Sequence, residues 1–169
     1  MTTDDPLKAS VVHGYGFNLL YAHRLIEDIP DDRLAEQPYP GMNHPAWVLT
    51  HLVATCDYVG SLLDVPPACP EQWREQLKDK GPLPDRARYP EKPQLLEKLE
   101  QGHERVIQAF LAATPAQLAA QTPNEQRRRR FPTIGMQLIY GMGPHEALHL
   151  GQVSAWRRAL SMPAVSLVP

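Results

Sequence analysis

Residues 133–162 read TIGMQLIYGMGPHEALHLGQVSAWRRALSM, and Pro144 is the only proline among them. Apolar side chains recur along this segment at the spacing of one helix face, which indicates a long amphipathic helix. Proline lacks a backbone N–H and clashes with the preceding turn, so we expect this helix to bend or restart within a turn of His145. From His145 to Arg158 we expect regular α-helix. The apolar face is formed by Leu138, Met142, Val153, Trp156 and Leu160.

The remaining prolines divide the chain into further helical windows. The sequence has 18 prolines in 169 residues, yet three other long windows contain none. Each window shows apolar residues at helical spacing, without the alternation typical of a β-strand. We therefore predict an all-α fold, a four-helix bundle that forms one domain over residues 1–169. The second helix is expected to begin with Asn43 as N-cap and Pro45 in its first turn. The four windows are 7–29, 46–65, 94–114 and 133–162.

The connections between the predicted helices differ in length. The first is a tight polar link in which a 3₁₀ turn is expected at residues 31–34. Long loops follow the second and third helices, at residues 65–93 and 116–132, and we expect them to determine specificity. An amphipathic segment at 71–80 lies in the first of these loops. The second holds the arginine run 127–130, which could grip a phosphate or carboxylate, although such runs are usually only solvated.

The composition excludes several classes of partner and location. Hydrophobic residues make up 43% and charged residues 21% of the chain, as in ordinary globular proteins. The net charge of −2 favours neither nucleic acid nor an anionic membrane as a partner. No apolar run is long enough to span a bilayer, and residues 1–5 lack the basic and apolar regions of a secretory signal. With only Cys56 and Cys69, a disulfide framework is not expected, and we predict a cytoplasmic protein.

Two histidines lie four residues apart in the last predicted helix. His145 and His149 therefore share a face, which Gln152 continues, and the apolar pattern turns that face towards the core. Buried imidazoles need a hydrogen bond or a ligand, and one metal ion satisfies both rings at once. His51, on a face of the second helix shared with Tyr58, is the candidate third ligand. Three neutral imidazoles with an open position are typical of a catalytic site, because structural zinc sites normally have four protein ligands.

The same histidine pair allows other interpretations. An HxxxH pair can arise by chance on a surface helix, and His145-Glu-Ala-Leu-His149 also matches the HExxH motif of zinc proteases. The chain lacks the strand-rich half of such proteases, however. Adjacent residues on a helix point about 100° apart, so we do not expect Glu146 to be the catalytic base.

Three other side chains are chemically notable. His103 interrupts the apolar face of the third helix, where a hydrogen-bonded core histidine is the usual outcome and a contact near the site is the alternative. Cys56 is expected to pack in the core. Cys69 precedes Pro70 at a possible helix start, where a thiolate is favoured, but no general base is expected beside it.

Two well-separated motifs resemble those of the DinB/YfiT-like family, a superfamily of four-helix bundles. They are NHPAWVLTHL at residues 43–52 and HxxxHxGQ at residues 145–152, and the resemblance extends to the turn at 31–34 and the pair Arg157-Arg158. It implies a bundle, often dimeric, with a divalent metal ion, usually zinc or nickel, on the three matching histidines. It also implies kinship with thiol-dependent enzymes, including transferases that act with bacillithiol and an isomerase that uses mycothiol.

These observations lead to one main functional hypothesis and two alternatives. The main hypothesis is a homodimeric, metal-dependent enzyme of the small-thiol S-transferase type that acts on a small-molecule substrate. His51, His145 and His149 would bind the metal, and Gln152 and Tyr58 would support these ligands. A metal-dependent hydrolase is the enzymatic alternative. A metal-binding stress or interaction protein without turnover is the alternative from another class.

Overall fold

A computed structural model of the protein describes residues 5–78 and 81–166. The α-helices in these residues are α1 (Pro6–Ile26), α2 (Pro45–Ser61), α3 (Glu71–Gln76), α4 (Lys92–Ala112), α5 (Pro115–Ala119), α6 (Glu125–Arg128), α7 (Ile134–Tyr140) and α8 (Glu146–Ala159). Two 3₁₀ turns, Asp31–Arg33 and Arg86–Arg88, lie in the connections, and a π-helical segment, Gly141–His145, joins α7 to α8. Three predicted windows hold α1, α2 and α4, and the fourth holds α7, the π segment and α8. The predicted all-α fold is thus confirmed.

Prolines start the helices rather than break them. Pro6 and Pro45 occupy the first turns of α1 and α2, where a backbone N–H has no helical partner in any case. The N-cap of α2 is His44, whose Nδ1 accepts a hydrogen bond from the backbone N–H of Trp47 at 3.2 Å. The prediction of Asn43 as N-cap is wrong, because the Asn43 side chain instead donates to a residue of α8.

The four long elements surround one apolar core. The α1 and α2 helices both contact α4 on one side and α8 on the other, so α4 and α8 face each other across the centre. Burying one large aliphatic side chain there contributes about 1.5–3 kcal/mol. Within the described residues, no helix is long and apolar enough to cross a membrane. The completely buried side chains include Leu25, Ile26, Leu49, Leu52, Leu95, Leu99, Leu138, Met142, Leu150 and Trp156.

The last long element changes its helical pitch next to Pro144. Because Pro144 has no backbone N–H, it cannot bond the carbonyl of Tyr140, and the wider π turn of Gly141–His145 accommodates the missing bond. The irregularity predicted beside His145 is present as this π turn, but the backbone keeps helical dihedral angles on both sides of it, so the helix continues through the turn and does not restart. Regular helix begins at Glu146, one residue later than expected, because His145 itself closes the π turn.

Two close contacts hold the π segment in place. The Asn18 side chain of α1 donates from Nδ2 to the carbonyls of Met142 and Gly143, each at 3.3 Å. On the other side, a Cβ atom at Gly141 would lie 2.5 Å from Cγ2 of Val59. The π segment therefore approaches α2 as closely as only glycine allows.

Asp57 anchors the long loop between α2 and α4. Its carboxylate accepts hydrogen bonds from the backbone N–H groups of Ala68 and Cys69, at 2.8 and 2.7 Å. Guanidinium nitrogens of Arg74 and Arg105 lie 3.4 Å from the same carboxylate. One buried charge on α2 thus orders the first part of this loop.

The loop contains the predicted amphipathic segment in a shorter form. Of residues 71–80, Glu71–Gln76 is helical, and residues 79–80 lie outside the described residues. The predicted thiolate at Cys69 is wrong, since burial, with the Asp57 charge adding to it, raises the pKa of Cys69 to about 11. The expected packing role of Cys56 is confirmed, because this side chain is buried and its Sγ lies 3.4 Å from the Tyr15 hydroxyl.

Gly102 marks the closest approach of α4 to α2. A Cβ atom at Gly102 would lie 2.8 Å from the Cβ of Cys56, an atom that no rotamer change can move. We expect Gly102→Ala to lower the free energy of unfolding by about 1–3 kcal/mol, because α2 and α4 must separate to admit the methyl group. Urea unfolding of the wild type and the variant measures this difference.

Gly16→Ala is the matched control. Gly16 is exposed on α1 and has open space around it, so the same substitution should raise stability by about 0.5–1 kcal/mol through helix propensity alone. A Gly102→Ala protein as stable as the Gly16→Ala protein would contradict the close packing of α2 and α4.

Candidate metal centre

Three histidines meet where α2 faces the start of α8. His51 lies in the middle of α2, His145 closes the π segment and His149 follows one turn later on α8. Each ring offers a nitrogen within 4.8 Å of the other two, and the Nε2 atoms of His51 and His145 are 3.3 Å apart. The structure thus brings together the three side chains that the sequence singled out.

The histidines lie at the edge of the core rather than inside it. The apolar periodicity predicted His145 and His149 on the core face of the last helix, but the core positions of α8 are taken by Glu146 and Leu150. The π turn causes this shift, since it inserts extra backbone between the buried side chain of Met142 and the first turn of α8. The half-buried rings are therefore open to a ligand.

Burial keeps the imidazoles neutral near pH 7. Burial, followed by the proximity of His149 and His145, lowers the pKa of His51 to about 3. Burial, with His149 and Arg127 adding to it, lowers the pKa of His145 to about 4. Burial also lowers the pKa of His149, against the effect of its hydrogen bond to Gln152. A neutral imidazole has a free nitrogen lone pair, which is the form that binds a metal ion.

Gln152 selects the tautomer of His149. Its Oε1 atom lies 3.0 Å from Nδ1 of His149 and also accepts a hydrogen bond from Nδ2 of Asn43 at 2.8 Å. Because this oxygen is an acceptor, His149 donates its hydrogen from Nδ1, which leaves the lone pair of Nε2 free. Asn43 belongs to the motif noted in the sequence, yet its contact across the bundle could not be read from helix-capping rules.

The surroundings of the other two rings fit a divalent ion. The Trp47 ring stacks on His51 with the planes 1° apart and the centroids 5.2 Å apart, which restricts rotation of the imidazole. Nδ1 of His145 is buried and has no hydrogen-bond partner among the described residues. Its other nitrogen lies 3.3 Å from the Nε2 of His51, and these two nitrogens can share at most one hydrogen bond. Three imidazole nitrogens at these separations could hold a metal ion.

Glu146 faces away from the three histidines. Its Oε1 lies 2.7 Å from Nε2 of His103 on α4, and the Tyr15 ring stacks on His103 with a centroid distance of 3.6 Å. Burial raises the pKa of Glu146, against the effect of its hydrogen bond with His103. His103 is therefore a hydrogen-bonded core residue, which is the first of the two possibilities expected from the sequence. The zinc-protease alternative is contradicted, because it needs the glutamate of HExxH beside the metal.

A cavity of about 270 Å³ borders His51 and His145. Tyr58 of α2, Gln137 of α7 and Arg127 of α6 form part of its wall, and the Tyr58 hydroxyl contacts Nε2 of Gln137. The guanidinium carbon of Arg127 lies 4.2 Å from the centroid of the Tyr58 ring. Tyr58 thus lies beside the site, as the sequence suggested, but it supports the cavity wall through these contacts.

Only one of the two long loops reaches this cavity in the part of the chain that the structure describes. The loop between α4 and α7 supplies Arg127, and the loop between α2 and α4 contributes no wall residue. Nothing in the sequence indicated that Arg127, rather than another arginine of the run, would lie at the cavity wall. Gln137, inside an apolar stretch, carried no signal either.

Comparison with known proteins agrees with this description. The sequence model of the DinB superfamily matches residues 21–153, a range that includes α2, α4 and all three histidines. No curated protein matches the chain. Since the matched range covers most of the sequence, the chain belongs to the DinB superfamily.

Proposed function

We propose that this protein binds one divalent metal ion, zinc or nickel, through His51, His145 and His149, and joins a small thiol to an electrophilic substrate. The observation that supports this most strongly is the convergence of three neutral imidazoles beside a cavity of metabolite size. Three protein ligands leave a coordination position open. A divalent ion held by these histidines would supply Lewis acidity, which would lower the pKa of a bound thiol so that it could lose its proton at neutral pH.

Residues around the histidines restrain the orientation of the imidazole rings. Gln152, itself held by Asn43, directs Nε2 of His149 away from the hydrogen-bonded side of the ring. Trp47 limits the rotation of His51 by stacking. Such preorganisation raises metal affinity because fewer conformations are lost when the ion binds.

The protein's own cysteines are unsuited to supply the thiol. Cys56 and Cys69 are both buried, and burial raises their pKa values to about 12 and about 11. A low-molecular-weight thiol cosubstrate is therefore required. We place the protein in the cytoplasm, where such thiols are kept reduced.

A hydrolase is less well supported than a thiol transferase. General-base assistance to an attacking water would need a carboxylate beside the metal, and Glu146 points into the core instead. No carboxylate is among the described residues that line the cavity. A thiol needs less assistance than water, because its pKa is far lower before a metal ion lowers it further and its proton can leave to solvent.

The metal assignment predicts about one divalent ion per chain after gentle purification. We expect His51→Ala and His149→Ala each to abolish stoichiometric metal, because two imidazoles hold an ion far more weakly than three. Elemental analysis measures the content, and circular dichroism verifies that the bundle remains helical. His13→Ala, at an exposed position of α1, is the control and should keep its metal. Unchanged content in both site variants would refute the assignment.

The thiol hypothesis predicts turnover that needs metal and thiol together. The metal-loaded protein is mixed with a panel of small thiols and the electrophile 1-chloro-2,4-dinitrobenzene, and the absorbance of the thioether product is followed. We expect His149→Ala and chelator treatment to reduce the rate to that of the uncatalysed reaction. A stoichiometric metal ion without thiol-dependent turnover would favour the hydrolase or the non-catalytic alternative.

We also propose a homodimer formed through an apolar surface of α1 and α7. Phe17 and Ile139 are 46% and 47% exposed, and both border one shallow groove together with Val11 and Pro144. Large apolar side chains grouped on a surface are typical of protein interfaces. A second copy of the chain would remove both from water.

Light scattering coupled to size exclusion tests this arrangement. We expect the wild type to have the mass of a dimer and Phe17→Asp to have the mass of a monomer, since a carboxylate cannot be buried in an apolar interface. Tyr39→Asp is the control, because Tyr39 is 63% exposed, lies in the connection between α1 and α2 and does not line the groove. A monomeric wild type, or a dimeric Phe17→Asp protein, would contradict the proposal.

A further inference from the structure

We infer that the cavity beside the three histidines takes a ligand with a carboxylate group, and that Arg127 binds this carboxylate. The inference deepens the proposed function and rests on it, because the same ligand would carry the sulfur atom. It assigns a role to one member of the arginine run at residues 127–130.

Arg127 is placed for binding by its short helix and by an aromatic ring. Asn124 caps α6 through a hydrogen bond from the Arg127 backbone N–H to Oδ1 at 3.0 Å. The guanidinium lies over Tyr58, with its carbon 4.2 Å from the ring centroid. Stacking holds the plane of the group but leaves its N–H edges free for a planar anion.

Arg127 has no carboxylate partner among the described residues. Its neighbour Arg128 donates instead to the carbonyls of Thr122 and Pro123, so it stabilises the loop. Several other arginines, by contrast, have acidic side chains within 4.0 Å; they include Arg24, Arg33, Arg74, Arg86, Arg105 and Arg157. A cation without an acidic partner on a cavity wall favours the binding of an anionic ligand.

The charge of the cavity supports the same conclusion. Among the described residues of the cavity wall, Arg127 is the only arginine, and no lysine, aspartate or glutamate is present. Arg127 is exposed, so its guanidinium is accessible to a ligand. A thiol with a carboxylate would place one anionic group at the histidines and the other at Arg127.

Gln137 adds an uncharged polar side chain to the cavity wall. Its side chain is 2% exposed, and its Nε2 contacts the Tyr58 hydroxyl. This contact restrains Tyr58, the ring that lies beneath the Arg127 guanidinium.

The size of the cavity limits the ligand to a small molecule. About 270 Å³ is slightly below the usual range of small-molecule pockets, and Ala54, Val59 and the Tyr140 ring form apolar stretches of the wall. A short carbon chain between sulfur and carboxylate fits such walls. A peptide or nucleic-acid strand would not fit inside.

The test compares a thiol acid with its neutral counterpart on the cobalt-loaded protein. 3-Mercaptopropionate and 3-mercaptopropanol differ only in the anionic group, and thiolate-to-cobalt charge-transfer absorption reports the binding of each. We expect the wild type to bind the acid about tenfold or more tightly, as a charge-assisted hydrogen bond allows. Arg127→Met should remove this preference. Arg129→Met, which changes the net charge equally at an exposed position outside the cavity wall, should keep it.

The outcomes separate this inference from the proposed function. Equal affinity of the wild type for the two thiols, or a preference that survives in Arg127→Met, overturns the inference and leaves thiol binding intact. If neither thiol gives the absorption band, the thiol chemistry of the proposed function fails. In that case the Arg127 Nε–Hε resonance decides: a saturable shift with 3-mercaptopropionate supports carboxylate binding, and no shift overturns it.

Discussion

The buried contact between Glu146 and His103 determines how α8 is turned within the bundle. Successive residues of an α-helix point about 100° apart, so a glutamate directed at α4 places its neighbour His145 towards α2, and His149 follows one turn later. A carboxyl group in the core is costly without a partner, and Nε2 of His103 at 2.7 Å is that partner. The direction of the two histidines is therefore linked to polar packing in the core, on a neighbouring face of the same helix.

The π segment reconciles this packing with the apolar face of α7. Leu138 is buried before the segment, Met142 is buried within it, and Glu146 and Leu150 are buried after it. A continuous α-helix through these residues would need the N–H that Pro144 lacks. The wider π turn rotates the residues that follow it relative to the face of α7. The Asn18 side chain of α1 donates hydrogen bonds to two carbonyls of the π segment. The π turn thus positions His145, the first candidate metal ligand of this element.

The loop between α2 and α4 and the loop between α4 and α7 have different roles. Asp57 binds the loop between α2 and α4 through backbone N–H groups and two arginines, which makes that loop part of the scaffold. The loop between α4 and α7 instead presents the Arg127 guanidinium above Tyr58 at the cavity wall. The restraints on His51 and His149 come from Trp47, Gln152 and Asn43, whereas Arg127 lies on the short helix α6 in the connection between α4 and α7. Such connections vary at little cost to the core, so the cavity wall can change without altering the bundle.

The long helices and the three histidines could be predicted from local sequence patterns. Prolines bounded the helical windows because proline is excluded from helix interiors, and the spacing of four placed His145 and His149 on one face. The contact between Asn43 and Gln152, and the position of Arg127 rather than its neighbours in the cavity wall, could not be predicted in this way. These contacts join residues far apart in the chain. They depend on how α2, α6 and α8 pack together, and the local periodicity of a sequence carries no information about that packing.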